Sequence, residues 1–283
     1  MRPITAPGAR TDEVLARVAN WVDPVGLEEL DTDAALRTRV DVKYLVDAVA
    51  LHRVVMALGR SARVLELDAR RSFRYRSVYF DTPDLASYRA HVQGRRRRYK
   101  IRTRSYLDAG AAMLELKYKG RRGSTVKRRQ PHDPARVDEL DGPGRAFLAE
   151  ELQAAYGTGP LPPLMPSMVT DYCRTTFAVV GDGERITCDV DLRGRHAGRE
   201  ARLDPRLALV ESKSIDGRGS VDRLLQSAGI RPVSISKHAV TVAATREDLP
   251  GNPWHRLLPY FRVKRYPPAS DVLGDHAAIS WAA

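Results

Sequence analysis

The chain has 283 residues, with 47 Lys and Arg against 35 Asp and Glu and a formal net charge of +12. A hydrophobic share of 43% beside 29% charged residues excludes a disordered chain and suits one large β-rich domain or two small ones. The basic excess points to an anionic partner, and two cysteines, Cys173 and Cys188, are too few for a disulfide framework or a structural zinc centre.

In chain order, residues 11–22 place Val14, Leu15, Val18 and Trp21 or Val22 on one side of a helix, behind a Thr11 cap with Asp12 and Glu13 in the first turn. The first strand is expected at about 36–46. Asp47 then opens a helix that runs to Leu58 and ends at Gly59. Strands follow at 63–67 and 72–81, and Thr82-Pro83-Asp84 starts a short helix to about His91. Strands at 97–106, 112–119 and 123–130 are joined by Asp108-Ala109-Gly110 and by Gly120-Arg121-Arg122-Gly123. Residues 134–156 read as helical, with a break near Gly142-Pro143-Gly144. A Pro-rich link at 160–166 leads to strands near 168–180 and 184–193, turned at Gly181-Asp182-Gly183, and to another at 206–214. Helices are expected at 219–228 and 236–247, and the tail from Pro250, with five prolines, is expected to wrap the surface or lack order. The expected organisation is an N-terminal helical segment (1–35), a working domain (36–247) and a Pro-rich tail (248–283). The N-terminus lacks the apolar core of a signal peptide, and no run approaches the roughly 18 apolar residues that span a bilayer, so a cytoplasmic location is expected.

Six of these segments place charges at i, i+2 spacing. They are Arg39-Val40-Asp41-Val42-Lys43, Lys100-Ile101-Arg102-Thr103-Arg104, Glu115-Leu116-Lys117-Tyr118-Lys119, Lys127-Arg128-Arg129, Arg185-Ile186-Thr187-Cys188-Asp189-Val190-Asp191 and Glu211-Ser212-Lys213. A strand sends alternate side chains to opposite faces, so each segment has one charged and mostly basic face. Alternation by itself fits a solvated outer face. Two features favour an inner one. Arg102 and Arg104 are expected opposite Glu115, Lys117 and Lys119, followed by Lys127 and Arg129, and like charges across strands repel unless an anion neutralises them. A barrel of about eight strands also has an interior that holds a ligand. Hairpin links favour an antiparallel sheet, and closure removes exposed edges.

The motifs also carry a resemblance. Arg39-x-Asp41-x-Lys43-Tyr44, Ser77-Val78-Tyr79-Phe80-Asp81-Thr82, Lys100-Ile101-Arg102-Thr103-Arg104 and Leu114-Glu115-Leu116-Lys117 are followed by Val126-Lys127-Arg128-Arg129 and Tyr172-Cys173-Arg174-Thr175-Thr176-Phe177. Arg185-Ile186-Thr187-Cys188-Asp189, Val210-Glu211-Ser212-Lys213 and Ser236-Lys237-His238 complete the series. In this order, over about residues 36–245, they resemble the VTC-type polyphosphate polymerase domain, a branch of the triphosphate tunnel metalloenzymes. The resemblance implies an α+β fold: a closed eight-stranded antiparallel β-barrel, or tunnel, with a charged interior and short flanking helices. It implies transfer of the ATP γ-phosphate onto a growing polyphosphate chain with Mn²⁺ or Mg²⁺. By motif position the phosphate-binding bases would be Lys43, Arg102, Arg104, Lys117, Lys127, Arg174, Arg185, Lys213 and Lys237. Of these, Arg102, Arg104, Lys117, Lys127 and Lys237 would act on the transferred group, and Glu211 would hold the metal.

The residue types suit that chemistry, because phosphoryl transfer needs positioning and charge neutralisation more than covalent help. The chain departs from the hydrolytic relatives' Glu-x-Glu-x-Lys motif, since Arg39 stands at the first acid and Asp41 at the second. That favours the polymerase branch over the alternative, a tripolyphosphate or nucleoside triphosphate hydrolase. A non-catalytic polyphosphate-binding module is the third reading. ATP and inorganic polyphosphate are the expected partners, a membrane-protein partner fits beside them, and nucleic acid is disfavoured. The basic run Gly94-Arg95-Arg96-Arg97-Arg98-Tyr99-Lys100 reads as a solvated loop entering the Arg102 strand. The seven histidines show no metal-ligand spacing, with His238 singled out by its place after Lys237. Asp189 and Asp191 read as partners of basic residues or as further metal ligands.

Overall fold

A computed structural model of the chain describes residues 9–30, 40–120, 124–181 and 183–266. In chain order its elements are α1 (Thr11–Trp21), β1 (Asp23–Val25), β2 (Val40–Asp47), α2 (Ala48–Leu58), β3 (Ala62–Leu65) and β4 (Phe73–Asp81). They continue with α3 (Ala86–Val92), β5 (Tyr99–Tyr106), β6 (Ala111–Lys119), β7 (Thr125–His132), α4 (Gly142–Tyr156), β8 (Met165–Val179) and β9 (Glu184–His196). The last are β10 (Arg199–Leu203), β11 (Leu207–Ser214), α5 (Ser220–Ser227), α6 (Lys237–Thr245) and β12 (Phe261–Arg265). The fold is α+β. The hydrogen-bonded order runs β12-β10-β9-β8-β4-β5-β6-β7, with β11 between β9 and β2, β3 on β8 and β1 on β3. The β1–β3 pair is parallel, whereas β2–β11, β9–β11, β9–β10, β3–β8, β4–β5, β5–β6 and β6–β7 are antiparallel.

Two compact units share these elements: of the described residues, those up to 74, within 172–192 and within 203–235 form the first, and those within 75–171, 193–202 and 236–266 form the second. In the first, the inner side chains of β2, β9 and β11, among them Val46, Ile186, Cys188 and Val210, join Val14, Leu15 and Val18 of α1 and Leu51, Val54 and Val55 of α2 in one core. Each fully buried aliphatic side chain contributes roughly 1.5–3 kcal/mol. Helix α2 has the ends its sequence announces: the Asp47 carboxylate accepts from the Ala50 N–H at 2.8 Å, and Gly59 leaves the helix at φ 52°. In the second unit, α4 starts where the Asp141 carboxylate accepts from the Gly144 N–H at 2.7 Å. It lays Leu148 and Leu152 against Val78, Phe80, Ile101, Leu114 and Leu116. That packing commits one face of β4–β6 to the core and turns the alternating charges of β5 and β6 to the other.

Several features differ from the sequence reading. Helix α3 begins at Ala86 because Asp81, the last residue of β4, caps it. Its carboxylate accepts from the N–H groups of Thr82, Ser87 and Tyr88, and the Thr82 hydroxyl accepts from Ala86 N–H. Strands β10 and β12 have no counterpart in the expected elements; β12 lies in the Pro-rich tail, where Trp254 is also buried. The expected closed barrel is not what the described pairings show: their main order runs from β12 to β7 without closing, and its branches end at β2 and β1. Arg39, the Arg121-Arg122-Gly123 part of the second hairpin turn, Asp182 and the tail beyond Tyr266 lie outside the described residues. Among the described residues no helix is long and apolar enough to cross a membrane.

Candidate functional site

In the first unit the register of β2, β11 and β9 aligns the alternating charges. Glu211 lies opposite Lys43 on one side and Thr187 on the other, and Lys213 lies opposite Asp41 and Arg185. The Lys213 ammonium is 3.0 Å from Glu211 Oε1 and 3.0 Å from Asp41 Oδ1, while Lys43 Nζ stands 3.9 Å from Glu211 Oε1. Asp189 shares the odd-numbered face of β9 with Arg185 and Thr187, and it is fully buried. Arg174 of β8 grips it in a two-point fork, Nε to Oδ1 at 2.6 Å and Nη2 to Oδ2 at 2.8 Å. Burial works against the Arg174 charge, but Asp189 outweighs it and holds the guanidinium well above its usual range.

In the second unit the register of β5, β6 and β7 sets Lys100, Lys117 and Lys127 in one row and Arg102, Glu115 and Arg129 in the next. Arg104 lies opposite Met113, so the Lys117 neighbour is Lys100 and not Arg104 as the sequence spacing suggested. Glu115, 2% exposed, is the centre of this face. Its Oε2 accepts from Arg102 Nε at 2.8 Å and Nη2 at 2.6 Å, its Oε1 pairs with Lys127 Nζ at 2.5 Å, and Arg104 Nε is 3.9 Å away. Burial alone would raise the Glu115 pKa, but Arg102, Arg104 and Lys127 drive it well below the usual carboxylate range. Partial burial draws the Lys127 ammonium down to about 8, against the pull of Glu115 and with a push from Arg104 and Arg102. Lys127 keeps 40% of its side chain exposed and Arg102 keeps 20%, so both remain open to an anion. Arg102 Nη1 also donates to the Tyr79 hydroxyl at 2.9 Å.

The model of the VTC domain matches residues 38–246. The chain belongs to the VTC domain family. Among solved structures, this VTC domain is similar to a Hippeastrum protein described as a candidate adenylyl cyclase with a dominant triphosphatase activity: 16% identity, 74% of this chain and 97% of that chain covered, TM-score 0.48. It is similar to a candidate adenylate cyclase of Vibrio parahaemolyticus at 16% identity, 71% and 95% coverage and TM-score 0.41, and to one of Bacillus halodurans at 13% identity, 71% and 94% coverage and TM-score 0.42. No curated protein matches.

The structure of this VTC domain brings Lys43, Arg174, Arg185, Glu211 and Lys213 to neighbouring strands of the first unit. It brings Arg102, Arg104, Lys117 and Lys127 to neighbouring strands of the second. Lys237 is the first residue of α6, after the Ser236 cap whose hydroxyl accepts from Ala239 N–H. His238 is buried between the rings of Tyr79, stacked at 4.5 Å, and Tyr88, edge-on at 6.4 Å; burial pushes its pKa far down and keeps it neutral. Among the described residues no group of three or more His, Cys, Asp or Glu side chains converges as a metal cage. Glu211 and Asp41 supply hard carboxylate oxygens beside cations, a donor set that fits Mg²⁺ or Mn²⁺ shared with phosphate oxygens of a substrate.

Sequence reasoning passed over two groups. One is the contact of Lys100 with His91 and Ser236: the alternation puts Lys100 on the charged face beside Arg102, but both partners lie outside its strand and no spacing points to them. The other is a buried network in the first unit. The Ser212 hydroxyl lies 2.9 Å from Glu184 Oε1 and 3.0 Å from Asp222 Oδ2, and the Tyr44 hydroxyl donates to Asp222 Oδ1 at 2.8 Å. One hydroxyl proton cannot serve both carboxylates. Burial, which disfavours the charged form, raises the Glu184 pKa.

Proposed function

We propose that this VTC domain transfers the γ-phosphate of ATP to the end of an inorganic polyphosphate chain in a metal-dependent reaction. A terminal polyphosphate oxygen attacks the γ-phosphorus, the bond from that phosphorus to the β–γ bridging oxygen breaks, and ADP leaves. The observation that carries the reading is the packed basic face of β5–β7, with Arg102 and Lys127 both paired to one buried carboxylate and both accessible. Such a face is poised for a more highly charged anion, and phosphoryl transfer asks for little beyond such charge and alignment.

In this reading Arg102 and Arg104 fork phosphate oxygens, Lys117, Lys127 and Lys237 neutralise the moving group, and Lys43, Arg174, Arg185 and Lys213 bind the remaining phosphates. The roles follow the chemistry of planar guanidinium forks and compact ammonium charges. Glu211 would hold the Mn²⁺ or Mg²⁺, which supplies charge neutralisation on bridging phosphate oxygens when bound. Residues 36–247 form the working domain, and a closed eight-stranded tunnel belongs to this proposal and not to the observed hydrogen bonding.

A second reading, hydrolysis of tripolyphosphate, is favoured by one contact: Lys213 holds Asp41 and Glu211 at 3.0 Å each, which brings a second carboxylate beside the proposed metal ligand. Incubation with ATP and Mn²⁺, followed by gel electrophoresis of the products, separates the two. Long polyphosphate supports transfer, orthophosphate alone supports hydrolysis, and binding without turnover leaves a polyphosphate-binding module.

A further inference from the structure

Lys100 stands on the charged face of β5 in the row with Lys117 and Lys127. Its ammonium is turned to two partners in the same unit, His91 Nε2 at 3.0 Å and Ser236 Oγ at 2.9 Å. An ammonium group has only protons to offer, so His91 Nε2 must accept, and the imidazole proton sits on Nδ1. Burial, with the charge of Lys100 adding to it, pushes the His91 pKa down to about 3 and keeps that acceptor available. The ring is held in place by Trp254, stacked on it at 5.6 Å and 16°. The other partner, Ser236, is the cap of α6, and Lys237 is the first residue of that helix.

This arrangement runs against the local electrostatics. A cation beside a helix N-terminus is unfavourable, and Lys100 directly faces Lys117. Two directed hydrogen bonds hold it there nonetheless. Two of its three protons are thereby committed within the protein, which leaves it poorly placed to act as a further phosphate clamp.

We propose that Lys100 is a positioning residue: braced by His91, it fixes the Ser236 cap and so the direction in which Lys237 leaves α6. The inference rests on the reading of Lys237 as a phosphate-binding base. It predicts that Lys100 and Lys237 act as one unit.

The test is a double-mutant cycle on the full chain, read by calorimetric binding of inorganic tripolyphosphate at one fixed salt concentration. Lys237→Ala is expected to weaken binding about tenfold or more, as loss of a charged hydrogen bond does. Lys100→Met is expected to weaken it by a comparable factor, and the double variant to bind within about twofold of Lys237→Ala alone. His91→Gln, which keeps an acceptor, should bind as the unaltered protein does, and His91→Leu should reproduce the Lys100→Met loss. Additive losses would overturn the proposal in favour of direct phosphate contact by Lys100. No loss on Lys100→Met, with a clear loss on Lys237→Ala, would overturn it as well. If Lys237→Ala binds normally, the site assignment of Lys237 itself fails and this inference falls with it. Should Lys100→Met not fold, His91→Leu combined with Lys237→Ala gives the same cycle, and additivity there counts equally against the proposal.

Discussion

Glu115→Gln is the perturbation that most sharply separates a functional charged face from a solvated one. Glu115 is 2% exposed and carries Arg102, Lys127 and, at longer range, Arg104. Removing one partner of a buried ion pair costs about 3–5 kcal/mol, because the charges left behind are uncompensated. The remaining cations are 20%, 11% and 40% exposed, so water resolvates them in part and the lower end, about 3 kcal/mol, is expected. With a urea m-value of about 3 kcal/mol/M, the unfolding midpoint should drop by roughly 1 M. Tripolyphosphate should reverse part of the loss, because phosphate replaces the missing negative charge and no longer competes with Glu115 for Arg102. The ligand-induced stabilisation should therefore be larger in the variant than in the unaltered protein. Urea unfolding at low salt, with and without tripolyphosphate, measures both effects. A loss below about 1 kcal/mol, or equal stabilisation of both proteins by tripolyphosphate, would place Glu115 in an ordinary surface ion pair and refute the reasoning.

The same carboxylate sets an acid limit. The folded-state pKa of Glu115 lies below its unfolded value, so its contribution is present above the unfolded value, near 4.3, and is lost as pH falls through the folded one; acid unfolding of Glu115→Gln should lack that component. Glu184 has the opposite sign. Burial raises its folded pKa, so its contribution is present below the unfolded value and is lost as pH rises through the folded one. Glu184→Gln should accordingly be neutral or stabilising at pH 7, within about 1 kcal/mol by thermal unfolding, and a loss above 3 kcal/mol would show that the charged form is needed. Lys127 titrates at about 8, so tripolyphosphate binding should weaken above that pH and take up protons as it forms; Lys127→Arg should abolish this part of the pH dependence in calorimetry across buffers of different ionisation enthalpy. Glu211→Gln should abolish turnover while retaining tripolyphosphate binding, and undiminished turnover would remove Glu211 from its proposed metal role.

The legible parts of the molecule are those whose signals are local. Asp47 and Gly59 bracket α2 as capping chemistry requires, and the alternation in Lys100–Arg104 and Glu115–Lys119 marks β5 and β6 and their charged face. What escaped depends on relations between distant residues. A shift in cross-strand register moved Arg104 away from Lys117 and gave it Met113, and nothing in either strand alone fixes that offset. Asp81 ends a strand and also caps the following helix, so the helix begins later than Thr82-Pro83 suggests. The Glu184–Ser212–Asp222 contacts join three elements whose polar residues look like ordinary strand and helix positions when read in sequence. Strand β12 follows three of the tail's prolines, and its FRVKR pattern, exposed after Phe261, carries little hydrophobic periodicity.

The proposed activity of this VTC domain is addition of ATP-derived phosphate to polyphosphate. Purified protein incubated with ATP and Mn²⁺ should yield long polyphosphate chains on a gel, with ADP in equal amount to the phosphate incorporated. Release of orthophosphate alone, with no chain longer than the substrate, would contradict it.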